Sequence, residues 1–233
     1  FAPGSARSLT GKMGTRPMHI GLVSDHTLTH SPQQRVLHQC AEALTTRNGD
    51  DVSWLLSTDT IAALAHDPAL RPADASDLPP TCRDVIPYSL YRLDTIRLIG
   101  IEPDFWQDTA LHTRLFTFLC LLHREQPFAV LQAWGALSTL YLTVYTATYL
   151  HLPGTVFYTP SCLQDGPQQS FLWQWVARHT AMAFTEHATE REHLLHSSPL
   201  QPEQIRVLAP EQPDTIAALG RNFHDIAKNP FSL

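Results

Sequence analysis

The sequence predicts an α/β fold in three layers, with helices on both faces of a mostly parallel sheet of about seven strands. Three observations lead there. First, short apolar runs recur and each stops at polar or small residues. Residues 18–24 stop at Asp25-His26, 128–132 at Ala133-Trp134-Gly135, 154–158 at Thr159-Pro160-Ser161, and 181–184 at Thr185-Glu186-His187. Second, a helix-like stretch follows most of them, and such alternation builds βαβ units with parallel strands. Third, the opening run is apolar on both faces instead of alternating, as a strand in the middle of a covered parallel sheet must be. In a Rossmann-like sheet of this kind, ligands bind beyond the carboxyl ends of the strands. The polar stops therefore mark a candidate binding edge.

Each element follows from local signals. Strand 18–24 is succeeded by a polar loop over 25–31, after which Pro32 suits the first turn of a helix reaching about Arg47. Val36, Leu37, Cys40, Ala41 and Leu44 fall at helical spacing, and Asn48-Gly49 supplies the stop. A second strand is expected over 52–56. Residues 67–83, with Pro68, Pro72, Pro79 and Pro80 among several Asp, read as a surface excursion. A short strand near 85–88 and an irregular stretch to Pro103 are expected next. A long helix over about 104–125 places Phe105, Leu111, Leu115, Phe118, Leu119 and Leu122 on one side. Strand 128–132, helix 136–150 and strand 154–158 follow; the helix is expected despite its threonines, which are poor helix formers. Helix 168–178, strand 181–184, helix 187–196 and strand 205–208 continue the alternation. Glu190 sits in the first turn of the 187–196 helix, where an acid suits the dipole. Asp214 is expected to cap a last helix over 215–227. The domain is thus expected over 17–212, with 213–233 as a C-terminal helix and tail. Residues 1–16, Gly/Ser/Arg-rich and lacking the apolar core of a signal peptide, read as a loose arm or expression remnant.

Composition narrows the classes of function. The 233 residues are 43% hydrophobic and 16% charged, enough apolar content for a substantial core, and the net charge is −6. That balance, with no basic stripe, excludes nucleic acid as a partner, since neutralising phosphates needs clustered Lys and Arg. Four cysteines, Cys40, Cys82, Cys120 and Cys162, form no CxxC pair, so no structural zinc site is expected. Dispersed thiols in a domain with a full core point to a reducing, cytoplasmic compartment. The most apolar stretch, 111–123, is shorter than the roughly 20 residues that span a bilayer, and it carries Arg114. No transmembrane segment is expected. No G-x-G-x-x-G follows the first strand, no P-loop is present, and no G-x-S-x-G elbow supports a hydrolase.

Several segments together carry a family resemblance. They are the opening strand 18–24 with its following helix, the VLQAWGAL of 130–137, and the LPGTVFYTP of 152–160. The TEHATEREHL of 185–194 and the QPEQIRVL of 201–208 complete the set. In order and spacing these resemble the N-terminal half of a GT-B glycosyltransferase, most closely the retaining glycosyltransferase family 4, which includes glycogen- and sucrose-type synthases. LPGTVFYTP is similar to the family's Val-Pro-x-Val-x-Thr-Pro strand, and TEHATEREHL to its Ser-Glu-x-Glu-Arg-Glu-x-Leu helix start. The resemblance covers 18 to about 210 and implies one half of a GT-B fold, the acceptor side. It also implies a donor-binding domain with a paired-glutamate motif, for which this chain holds no counterpart. Three departures bear on chemistry. The Gly-Gly pair after the first strand is replaced by the HTLTHS of 26–31. Trp134 stands where the family usually has a His. Ser161 stands where a His usually follows Thr-Pro.

The candidate site is drawn from the strand ends. Asp25 and His26 could act together as a general base on an acceptor hydroxyl; equally, they could cap the following helix. Gln132, Trp134 and Gly135 could meet a sugar, with the indole stacking on its apolar face, or the indole could simply pack under a loop. Thr159, Ser161 and Glu186 complete the edge, Glu186 as a holder of ligand hydroxyls. His187, His193 and His196 lack a third ligand at metal spacing and read as surface imidazoles, so no metal is expected. No cofactor is expected in this chain; a nucleotide sugar would be a donor substrate bound mainly by the missing domain. Expected partners are that domain or a separate subunit, a carbohydrate or glycosylated acceptor, and a second copy of the chain. A peripheral place at a membrane stays open beside the cytoplasmic one. The function implied is a glycosyltransferase-like acceptor domain, with a non-catalytic binding, regulatory or assembly protein as the alternative. An unrelated doubly wound domain holding a nucleotide or flavin is a third option.

Overall fold

The computed structural model describes residues 17–25, 32–160, 167–208 and 213–228. In chain order, β1 (His19–Ser24) leads through α1 (Pro32–Asn48) to β2 (Asp51–Ser57) and α2 (Thr58–Ala63). Then come β3 (Leu70–Pro72), β4 (Tyr88–Leu93), β5 (Ile96–Ile101), α3 (Asp104–Gln107) and α4 (His112–Glu125). The remainder is β6 (Val130–Trp134), α5 (Leu137–Tyr149), β7 (Gly154–Phe157), α6 (Pro167–His179), β8 (Met182–Thr185), α7 (Ala188–Ser197), β9 (Ile205–Val207) and α8 (Pro213–Lys228).

The strands form one sheet in the order β3-β4-β5-β2-β1-β6-β7-β8-β9. β1 lies near the centre, parallel to both β2 and β6. Its residues explain that position: Ile20, Leu22 and Val23 are all buried, the even ones on one face and Val23 on the other. On the first face, Ile20, Leu22, Trp54 and Phe184 pack with Leu37, Cys40 and Leu44 of α1 and with Leu219, Phe223 and Ile226 of α8. On the second, Leu55 and Ile99 meet Leu115, Phe118 and Leu122 of α4, and Ala133 and Val156 meet Leu140 of α5 and Val176 of α6. The three-layer Rossmann-like fold is as the sequence predicts. Among the described residues, no helix is long and apolar enough to cross a membrane.

The strand count differs, nine among the described residues against about seven, and the difference is local. Where a short strand near 85–88 and an irregular stretch are expected, β4 and β5 form an antiparallel hairpin joined by Asp94-Thr95. Asp94 takes φ +51, a conformation Asp tolerates better than most residues. Asp-Thr is not among the strong hairpin signals, which are Asn-Gly and Asp-Gly, so the turn is not visible in sequence. β3 adds a three-residue edge strand that ends in Pro72, a residue confined to such edges. The expected helix 104–125 is divided into α3 and α4, because Asp108 Oδ1 accepts from the Ala110 N–H at 2.8 Å and turns the chain between them. The last helix starts at Pro213, so Asp214 lies inside its first turn and not at its cap. In α5 the threonines are accommodated because Thr143, Thr146 and Thr148 return their hydroxyls to the carbonyls four residues back, each at 2.8 Å.

Candidate functional site

From the centre of the sheet the chain winds in two directions, β1 through α1 to β2 on one side and β6 through α5 to β7 on the other. The carboxyl ends of β1 and β6 therefore meet at the topological switch point, where open α/β sheets leave a crevice for ligands. Asp25 follows β1 directly, and Gly135 follows β6. The two touch.

Asp25 is buried at 1% exposure, and its Oδ2 accepts from the Ala136 N–H at 2.7 Å and from the Thr139 hydroxyl at 2.6 Å. α5 opens with Ala136 in the capping position, a residue with no side-chain acceptor. Asp25 supplies the missing cap from the other half of the sheet and puts a negative charge at the positive end of the helix dipole. Gly135 has φ +124, and a Cβ there would stand 2.6 Å from Asp25 Cγ. Glycine is thus required by backbone angle and by space alike. Neither Ala136 nor Thr139 stands out in the sequence. The one signal was negative: a helix start with no Ser, Thr, Asp or Asn at its cap needs an acceptor from elsewhere.

Gln132 and Trp134 lie beneath this edge, within β6. With its amide oriented to match its partners, Gln132 accepts from the Trp134 indole N–H at 3.1 Å and the Phe157 N–H at 3.3 Å, and donates to the Thr155 hydroxyl. Trp134 is 1% exposed and stacks on Phe157, with ring centroids 3.8 Å apart and an interplanar angle of 8°. On the neighbouring strand, the Trp54 indole N–H donates to Ser24 Oγ at 2.7 Å, a second buried polar tie close to the switch point.

Thr159 and Glu186 are half-buried beyond the ends of β7 and β8, the next two strands along the edge. The N–H groups of Glu186 and His187 both donate to the Glu190 carboxylate, at 3.0 and 3.1 Å, which fixes the chain as it enters α7. Tyr158, beside Thr159, is buried against Trp173 with centroids 5.3 Å apart. The structure therefore joins Asp25 to Gly135, places Gln132 and Trp134 in the floor below, and sets Thr159 and Glu186 further along the same edge. His26 and Ser161 lie outside the described residues. Among the described residues, no cluster of three or more His, Cys, Asp or Glu is placed to hold a metal ion.

No family model matches the sequence, and no curated protein matches it significantly. Solved structures do match. A glycosyltransferase from Rickettsia africae superposes with TM-score 0.57 at 8% identity, over 83% of this chain and 43% of its own. The UDP-GlcNAc 2-epimerase of Neisseria meningitidis, solved bound to UDP-GlcNAc, gives 0.55 at 11%, over 92% and 51%. The UDP-GlcNAc 2-epimerase of Methanocaldococcus jannaschii gives 0.51 at 12%, over 82% and 45%. What is shared is the glycosyltransferase-type fold. This chain spans about half the length of the structures it matches.

Proposed function

We propose that this domain is the acceptor-side half of a GT-B glycosyltransferase of the retaining family-4 type. Transfer would require a second, donor-binding domain, supplied by a longer chain or by a separate subunit. The observation that carries this reading is the arrangement at the switch point, where β1 and β6 end side by side and Asp25 meets Gly135. The fold shared with a glycosyltransferase and with an epimerase solved with UDP-GlcNAc supports it. One wall of a cleft cannot enclose a nucleotide sugar, exclude water and hold donor against acceptor. In this reading the nucleotide sugar is a donor substrate held mainly by the other domain, and this domain carries no resident cofactor or metal. Thr159, Ser161 and Glu186 hold hydroxyls of a carbohydrate or glycosylated acceptor. Asp25 with His26 acts near the accepting hydroxyl, and Gln132, Trp134 and Gly135 shape the floor. A cytoplasmic location fits the free, buried Cys40 and Cys82.

One observation favours the alternative, a protein that keeps the fold for binding or assembly without catalysis. Asp25 Oδ2 already serves two donors of α5, and Trp134 already lies against Phe157. Two of the groups assigned to chemistry or sugar contact are thus employed within the fold. The deciding experiment measures the size of the polypeptide bearing this domain in source cells, then assays that intact protein for transfer from UDP-sugars. A band of about twice the 26.1 kDa of this chain, with turnover, supports the transferase reading. A band near 26.1 kDa with no co-purifying subunit and no turnover supports the alternative.

A further inference from the structure

At the opposite, amino-terminal edge of the sheet, four residues close a hydrogen-bonded ring. His19, the first residue of β1, places Nδ1 3.0 Å from the Gln126 carbonyl oxygen and Nε2 2.8 Å from Ser53 Oγ. Arg97 of β5 donates from Nη1 to Ser53 Oγ at 3.4 Å and to the side-chain oxygen of Gln126. The partners fit one proton arrangement best. His19 is neutral and donates from Nδ1 to the Gln126 carbonyl; its Nε2 accepts from the Ser53 hydroxyl, which itself accepts from Arg97. A second imidazole acts on the same stretch of chain. His123, near the end of α4, accepts through Nδ1 from the Phe128 N–H at 3.0 Å. The two imidazoles neighbour the Phe128 ring, His19 at 4.5 Å and His123 at 6.0 Å between centroids, and Phe128 is 2% exposed.

We propose that His19 and His123 form a proton-sensitive latch on the connection between α4 and β6. As neutral rings they hold residues 126–128 against the sheet, and their protonation releases that segment. On His123, a proton at Nδ1 turns the acceptor of the Phe128 N–H into a second donor facing it. On His19, a proton at Nε2 directs a second cationic donor at Ser53 Oγ beside Arg97 and leaves the serine proton without its acceptor.

The surrounding charges act in both directions. Arg97 and His123 oppose a positive His19, while Asp51 and the Gln126 carbonyl favour one. Arg97 is itself faced by Asp51, Arg92 and Asp77. Burial is the largest influence on His19 and holds it below the ordinary value of 6.5; burial does the same to His123. Two groups depressed in the folded state give a definite sign. The latch is fully closed above about pH 6.5 and is lost as pH falls below it. Nothing in this depends on the nucleotide-sugar reading, since the latch lies at the far edge of the sheet.

Hydrogen–deuterium exchange on the intact protein, from about pH 7.5 to about pH 5 and corrected for intrinsic rates, tests it. Amides of Gln126 and of 128–130 are expected to lose protection over this range while those of β7 and β8 keep theirs. In the double variant His19→Gln with His123→Asn, whose amides offer both a donor and an acceptor in place of the rings without titrating, the local loss disappears. Flat protection at 126–130 in the wild type overturns the proposal, as does an equal loss throughout the sheet or an unchanged loss in the double variant. If the double variant does not fold, NMR titration of the wild-type imidazole signals takes its place. Both rings must then gain their protons over the pH range in which the segment opens, and opening without protonation overturns the latch.

Discussion

A Cβ on residue 135 would stand 2.6 Å from Cγ of Asp25, inside the space the carboxylate already fills. The two residues are fitted to each other across the switch point, one on each winding half of the sheet. Gly135→Ala must strain a backbone held at φ +124 and displace the carboxylate from α5. The backbone alone is expected to cost roughly 1–3 kcal/mol. Urea unfolding should show a lower midpoint with an unchanged slope.

Asp25→Ala should do comparable harm by a different route. It removes the cap of α5 and so leaves the Ala136 N–H and the buried Thr139 hydroxyl short of an acceptor, together about 1–3 kcal/mol. Asp25→Asn keeps an oxygen for the Ala136 N–H and should lose less. The Asn variant also separates two roles. On the transferase reading proposed above, a loss of transfer with an unfolding midpoint that barely moves would place Asp25 in the chemistry; an unfolding midpoint that falls marks a structural cap.

These two residues show what can be read from the sequence and what cannot. Asp25 is visible as a polar residue just past an apolar run, because a strand buried on both faces is a strong signal and its end is easy to place. Its partner is not visible, since the Ala136 N–H lies 111 residues away and only the folded sheet brings it near. The same contrast runs through the fold. Strands such as 154–157 are legible from apolar content, whereas β4 and β5 mix Tyr, Ser and Arg with Leu and turn at Asp94-Thr95, with no Gly to announce a hairpin. Trp134 could be placed at a strand end, but its stacking on Phe157 depends on the parallel register of β6 and β7.

The thiols give a chemical prediction. Burial pushes Cys40 up to about 12 and Cys120 to about 11, and it raises Cys82 as well. At pH 8, three units below about 11, about one thousandth of Cys120 is thiolate, the reactive form. Alkylation by iodoacetamide, followed by mass spectrometry, should be slow at all three in the native protein and fast in urea. Because these groups are raised in the folded state, their contribution to stability is complete below the ordinary value of 9.0 and is lost as pH rises from there toward about 12. Unfolding midpoints should fall over that alkaline range, and by less in Cys40→Ala once its own cavity cost is subtracted.

Gln132 supplies the last test, because it concentrates several bonds in one buried amide. It bridges β6 and β7 by meeting the Phe157 N–H, the Trp134 indole and the Thr155 hydroxyl, and is itself only 1% exposed. Gln132→Leu retains most of the volume but leaves the indole N–H without this acceptor, and a buried unsatisfied donor costs about 1–3 kcal/mol. Replacing Thr155 by Val at the same time removes the hydroxyl that would otherwise be left with only its long 3.4 Å bond to the Leu131 carbonyl. The double variant should therefore lose less stability than the two single variants summed, giving a nonzero coupling in a double-mutant cycle. Additive losses would show that the amide and the hydroxyl stabilise the sheet independently, and that the polar tie between β6 and β7 is not a unit.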